Sequence, residues 1–249
     1  MLAHLTRYSS KLKYDLLVSF QNLAGDWHAE YNDAHKADGL ILLGYGDYLA
    51  YQDKLQSLMA NHTPFVRWGA PDPNYPGVSI GSDNFAGGQL IADFIKTKAY
   101  RKAIFIGNVD SGSPEFCSRY LGVVEGLKQF DCEVIQYNAD STTIAASDII
   151  DQLMIENALP DVVVCASDII AIGAIQTLSK AGHKIPRDIA VIGYDNTPMC
   201  SYLTPTLTTV NQDTHLASKY LVDTLLKNID GQVVSDHLIV PTFIEREST

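Results

Sequence analysis

Residues Cys165–Asp213 read CASDIIAIGAIQTLSKAGHKIPRDIAVIGYDNTPMCSYLTPTLTTVNQD, and this stretch decides the fold. The apolar run Val162–Cys165 predicts a buried strand that leads into Ser167-Asp168, a pair suited to capping a helix. Ala, Ile and Leu fill the predicted helix until Gly182, a natural C-terminal stop. A second apolar run, Ile189–Gly193, ends in the polar turn Tyr194-Asp195-Asn196. Strand, helix and strand in this order form a parallel crossover unit, which places ligands beyond the carboxyl ends of its strands. Ser167, Asp168 and Asp195 all fall at such ends, so the stretch predicts a binding crevice.

The same alternation extends outward. Tyr14–Phe20, Gly39–Leu43, Pro64–Trp68, Lys102–Gly107, Cys132–Tyr137, Asp161–Ala166 and Asp188–Gly193 read as strands. Tyr48–Ala60, Phe85–Lys98, Pro114–Phe130, Ile144–Ala158, Ile169–Ala181 and Thr214–Ile229 read as helices. Near-continuous apolar strands with crossover helices predict an α/β fold with doubly wound parallel sheets covered on both faces.

With 249 residues, of which 46% are hydrophobic, the chain can bury a full core as one large domain or two lobes. No apolar run approaches the ~20 residues of a membrane helix, and the first residues lack signal-peptide features, so a cytoplasmic, non-membrane protein is expected. Cys117, Cys132, Cys165 and Cys200 are widely spaced with no C-x-x-C pair, which suits free thiols and gives no zinc signal. The formal net charge is −11, and the densest basic cluster is only Lys96, Lys98, Arg101 and Lys102. A domain that grips DNA alone needs a basic stripe to displace phosphate counterions, so this chain is not expected to bind DNA unaided.

Three linked motifs carry a resemblance. They are Ser167-Asp168 with Ala171 and Gly173-Ala174, the run Gly182 to Asn196, and Pro205-Thr206-Leu207-Thr208-Thr209-Val210-Asn211-Gln212-Asp213. Asp83-Asn84 with Gly87-Gly88, Arg119 with Gly122, and the terminal Arg246-Glu247-Ser248-Thr249 join them. Essentially the whole chain resembles the effector-binding core of the LacI/GalR family of bacterial transcription regulators. That resemblance implies a type I periplasmic-binding-protein-like fold of two lobes joined by three crossovers, near Ser82, Gln212 and Asp236. The lobes would comprise residues 1–82 with 213–236, and 83–212 with 237–249. It also implies a homodimer, a small sugar-like effector held between the lobes, and operator contact through an N-terminal helix-turn-helix that nothing here resembles. In the family a first strand and the start of a helix precede the segment matching Met1–Lys13, so a chain shortened at its start is expected.

The resemblance assigns Arg119 and Asp195 to the effector: a guanidinium fork suits hydroxyls or carboxylates, and a carboxylate at a strand end can accept two hydroxyl bonds. Ser167, Asp168 and Asp83 are equally explained as helix caps or as effector contacts. Trp68 can stack on a sugar ring or pack within the protein. Gln212 and Asp140 fall near the expected crevice, where each is also accounted for as a loop or hinge residue.

No motif argues for catalysis or for a cofactor: G-x-S-x-G, H-E-x-x-H and phosphate-binding glycine loops are missing, and seven histidines are scattered. Two alternatives to a regulator stay open. A sugar-transport receptor shares the fold, and Asp83, Asp168 and Asp195 could converge as hydrolase carboxylates.

Overall fold

Val162 to Cys165 are all buried, as strands must be when helices cover both faces of a parallel sheet. The computed structural model describes residues 1–20, 36–44, 52–72, 75–109 and 113–249. The chain divides into two compact units, Met1–Ser82 with Asp213–Ile239 and Asp83–Gln212 with Val240–Thr249.

In the first unit, strands β1 (Leu40–Leu42), β2 (Phe65–Trp68), β3 (Val78–Ser82) and β9 (His237–Ile239) form a parallel sheet in the order β1-β2-β3-β9. Helices α1 (Leu2–Lys11), α2 (Gln52–Ala60) and α7 (Thr214–Ile229) belong to it. Leu5 of α1 joins Val66, Ile80, Leu221 and Ile239 in one apolar cluster, and the Tyr8 hydroxyl donates to Asp223 at 2.8 Å.

The second unit carries β4 (Lys102–Ile106), β5 (Glu133–Tyr137), β6 (Val162–Cys165), β7 (Ala190–Asp195), β8 (Thr208–Asn211) and β10 (Thr242–Ile244), in the order β10-β8-β7-β6-β4-β5. All are parallel except β10, which runs antiparallel to β8. Its helices are α3 (Asn84–Lys98), α4 (Pro114–Leu127), α5 (Thr143–Ile155) and α6 (Asp168–Lys180). From β4 the chain steps outward to β5, then returns to the other side through β6, β7 and β8. The winding therefore reverses between β4 and β6, and a crevice opens at the carboxyl ends of such a pair.

The α/β class with parallel sheets agrees with the sequence. Tyr14–Phe20, expected as a strand, is not one: a strand exists through its ladder, and these residues pair with no other strand among those described. The first four residues of the expected helix Tyr48–Ala60 lie outside the described residues, as do His28 and His35. The third division between the units follows Ile239, three residues beyond Asp236, because β9 pairs with β3. β3 and β8 are broken by Ser, Thr, Gly or Asn, and β9 and β10 have only three residues each, so none stands out as an apolar run.

Candidate functional site

Five segments meet at the carboxyl edge of the second unit's sheet. The start of α3 begins at Asp83, whose carboxylate caps the helix by accepting from Ala86 N at 2.9 Å. Asn84 follows, buried, and its side-chain oxygen accepts from Arg119 Nε at 2.8 Å. Helices α3 and α4 are pressed together here. A Cβ on Gly88 would lie 2.1 Å from the Arg119 carbonyl oxygen, and one on Gly122 would lie 2.2 Å from that of Phe85. These two glycines bring the Arg119 backbone against the start of α3.

Arg119 is turned inward, with a side chain only 2% exposed. Nη1 donates to the carbonyl of Ala166, directly after β6, and lies 3.6 Å from Asp195 Oδ1. The guanidinium carbon stands 3.8 Å from the centroid of the Tyr194 ring, so a charge taken out of water has a carboxylate, two oxygen acceptors and a π face around it. Arg119 ties together Asn84, the Ala166 carbonyl after β6 and Asp195 at the end of the neighbouring β7.

Asp195 ends β7 with φ of 118°, and Asn196 follows at 53°. Positive φ is strained for residues with a side chain, and such strain persists only where the surroundings over-determine it. Several bonds do so here. Gln212 Nε2 donates to Asp195 Oδ1 at 2.5 Å, Thr197 N donates to Asp168 at 2.7 Å, and Asn196 N donates to Thr209 Oγ1 at 3.3 Å. A quarter of the Asp195 side chain stays open to solvent. Its burial pushes the carboxyl up to about 6, and nearby Asp168 adds to the rise. Arg119 and the Gln212 bond pull the other way.

Asp168 is fully buried. Its carboxylate accepts from Thr209 Oγ1 at 2.6 Å, Thr197 N at 2.7 Å and Cys200 Sγ at 3.1 Å. It therefore braces the turn after β7. A Cβ on Gly193 would come within 2.4 Å of this carboxylate, which is why glycine precedes Tyr194. Ser167 occupies the N-cap position of α6 without capping, and its hydroxyl pairs with Ser141 at 2.9 Å.

The other expected residues lie as follows. Gln212 is buried beside Asp195, while Asp140 is exposed after β5 and accepts from Thr142 N through its carbonyl. Trp68 sits at the end of β2, packed on the first unit's apolar cluster and lining a groove of about 850 Å³ inside that unit. Asn84, Tyr194 and Asn196 stand in the motifs of the sequence but not among its expected site residues, although each adjoins one. Among the described residues, no group of three or more His, Cys, Asp or Glu is placed to hold a metal.

Residues 92–249 match the family described as Periplasmic binding protein-like domain. The chain belongs to this family. Within it, the motifs and relatives place the chain with the effector-binding cores of LacI/GalR type. The HTH-type transcriptional repressor PurR of Pectobacterium atrosepticum is 30% identical over 226 residues, covering 86% of this chain and 63% of that protein. The sucrose operon repressor of Streptococcus mutans is 29% identical over 218 residues, covering 86% and 64%. The chain thus spans just under two thirds of these relatives. Its fold is that of a LacI family transcriptional regulator from Enterococcus faecium with bound ribose, at a TM-score of 0.87, 20% identity and coverage of 100% and 92%. A CelR–cellobiose complex gives a TM-score of 0.85 at 21% identity, covering 100% of this chain and 77% of that one.

Proposed function

We propose that this chain is the effector-sensing core of a cytoplasmic LacI/GalR-type transcription regulator, which binds a small polyhydroxylated metabolite and catalyses nothing. One observation carries the reading: a partly open carboxylate, Asp195, held by Gln212 and a buried arginine at the strand-order reversal. An ionised carboxylate accepts from two hydroxyls at once, and Ser167 with Ser141 supplies further hydroxyl groups at the end of β6. Arg119 fixes the carboxylate and compensates its charge. Asp83 and Asp140, of the same unit, complete the proposed set of contacts, with Asp168 as the brace behind it.

An effector can act on a regulator only through differential affinity for two of its conformations. Operator binding would then come from a DNA-binding segment outside these 249 residues, presented by a homodimer. With a net charge of −11, the chain alone is expected to leave DNA unshifted in a low-salt gel assay. Among the described residues, no helix is long and apolar enough to cross a membrane.

The test is a thermal-shift screen of sugars, sugar phosphates, nucleosides and amino acids, with D-ribose and cellobiose included. A ligand at 100 times its Kd stabilises the fold by about 2.7 kcal/mol, well within detection. A hit that Asp195→Asn weakens at least tenfold supports the reading. A hit that the variant binds unchanged removes Asp195 from the site.

A further inference from the structure

The Arg246-Glu247-Ser248-Thr249 run returns from β10 to the flank of β7 and β8, where Arg246 and Ser248 divide the labour. Ser248 is fully buried and stitches the run to the sheet. Its hydroxyl donates to Val191 O at 2.6 Å and accepts from Thr208 N at 2.9 Å, and its backbone bonds Thr206 and Val191. Anchoring is therefore complete without the arginine side chain. The Arg246 guanidinium instead spans a gap: Nη1 donates to Leu207 O at 2.7 Å, and Nη2 donates to the Asn196 side-chain oxygen at 2.8 Å.

Asn196 is the left-handed residue directly after Asp195. Its other ties, from its backbone N to Thr209 and from its amide nitrogen to Asn211, are both 3.3 Å long and uncharged. The bond from Arg246 is shorter and charge-assisted, so it dominates the set. We propose that Arg246 is a positioning residue of the effector site, locking Asn196 in its left-handed conformation and thereby aiming the Asp195 carboxylate. The inference rests on the reading of Asp195 as the effector contact. Arg246 reaches Asp195 through Asn196, the residue directly after it.

The experiment follows the Asp195 carboxyl by NMR titration in the full chain, with no effector present. Arg246→Met should loosen the turn, admit water and lower the midpoint by about one pH unit. Arg246→Lys keeps a cationic donor and should recover most of that shift. Asn196→Gly accepts the same backbone conformation but offers Arg246 no oxygen, so adding Arg246→Met to it should produce no further change. Ser248→Ala should lower the melting temperature without moving the midpoint. An Asp195 midpoint unmoved by Arg246→Met, or shifts that add in the double variant, would overturn the proposal. An empty ligand screen counts against the proposed function alone, because this readout uses no ligand.

Discussion

Arg119 Nη1 lies 3.6 Å from Asp195 Oδ1, one partner almost wholly buried and the other a quarter exposed. The asymmetry separates their roles. Arg119 spends its bonds inside the protein, on Asn84 and the Ala166 carbonyl, while Asp195 presents part of its carboxylate outward.

Breaking that pair from the arginine side should destabilise the fold as well as the site. Removing one member of a buried pair costs roughly 3–5 kcal/mol, because the other charge is stranded. Arg119→Met is therefore expected to lower the unfolding free energy from urea titration by that amount, and to move the Asp195 titration above its native midpoint. A variant as stable as the wild type would show that the guanidinium carries no structural load.

Asp195 links stability to pH with a sign opposite to the usual carboxylate. Its folded-state pKa is raised from 3.8 to about 6. The folded state thus holds the proton more tightly than the unfolded one. The stability this contributes is fully present below pH 3.8 and is lost as pH rises through about 6, a loss of no more than about 3 kcal/mol at 1.36 kcal/mol per unit. Urea midpoints of wild type and Asp195→Asn, compared between pH 4 and 7 at roughly half-unit steps, should diverge across this window. A constant difference between them would refute the assignment. Effector affinity should run the other way, weakening as pH falls through about 6 and the carboxylate gains its proton.

Gly122→Ala tests the close approach of α3 and α4. The new methyl would meet the Phe85 carbonyl at 2.2 Å and Gly88 Cα at 2.9 Å, both backbone atoms that cannot turn aside. Overpacking of this kind costs typically 1–3 kcal/mol. Because α4 carries Arg119, the thermal shift produced by an identified effector should shrink together with the melting temperature. Loss of stability with effector binding intact would uncouple the helix contact from the site.

The four cysteines should divide by reactivity. Cys165 and Cys200 are buried, and burial pushes both thiols up, that of Cys200 to about 12. Cys117 and Cys132 are partly exposed. A thiol reagent applied to the native chain should label those two first and reach the buried pair only after denaturant is added. Rapid labelling of all four would contradict the packing around Asp168.

Much of the second unit is legible in the sequence, because burial on both faces writes itself as unbroken apolar runs. Val162–Cys165 is such a run, and its helix, its closing Gly182 and the Asp195 turn follow from local chemistry. Tyr14–Phe20 has the same apolar character without a ladder, and composition does not report which neighbour a strand finds. The short strands β8 and β10 draw on Thr and Asn, whose hydroxyls and amides bond across segments far apart in the chain. The site divides in a similar way. Position at a strand end marks both Ser167-Asp168 and Asp195, but which carboxylate faces water depends on Thr197, Cys200 and Thr209 closing over Asp168. Local sequence holds no trace of that closure.

The second unit is also discontinuous, since residues 213–239 belong to the first unit and separate Val240–Thr249 from the rest. During synthesis, β4 to β8 leave the ribosome well before the segment bearing Arg246 and Ser248. The turn behind Asp195 must wait for that later segment, so a polypeptide still in synthesis would carry the Asp195 carboxylate without its full bracing.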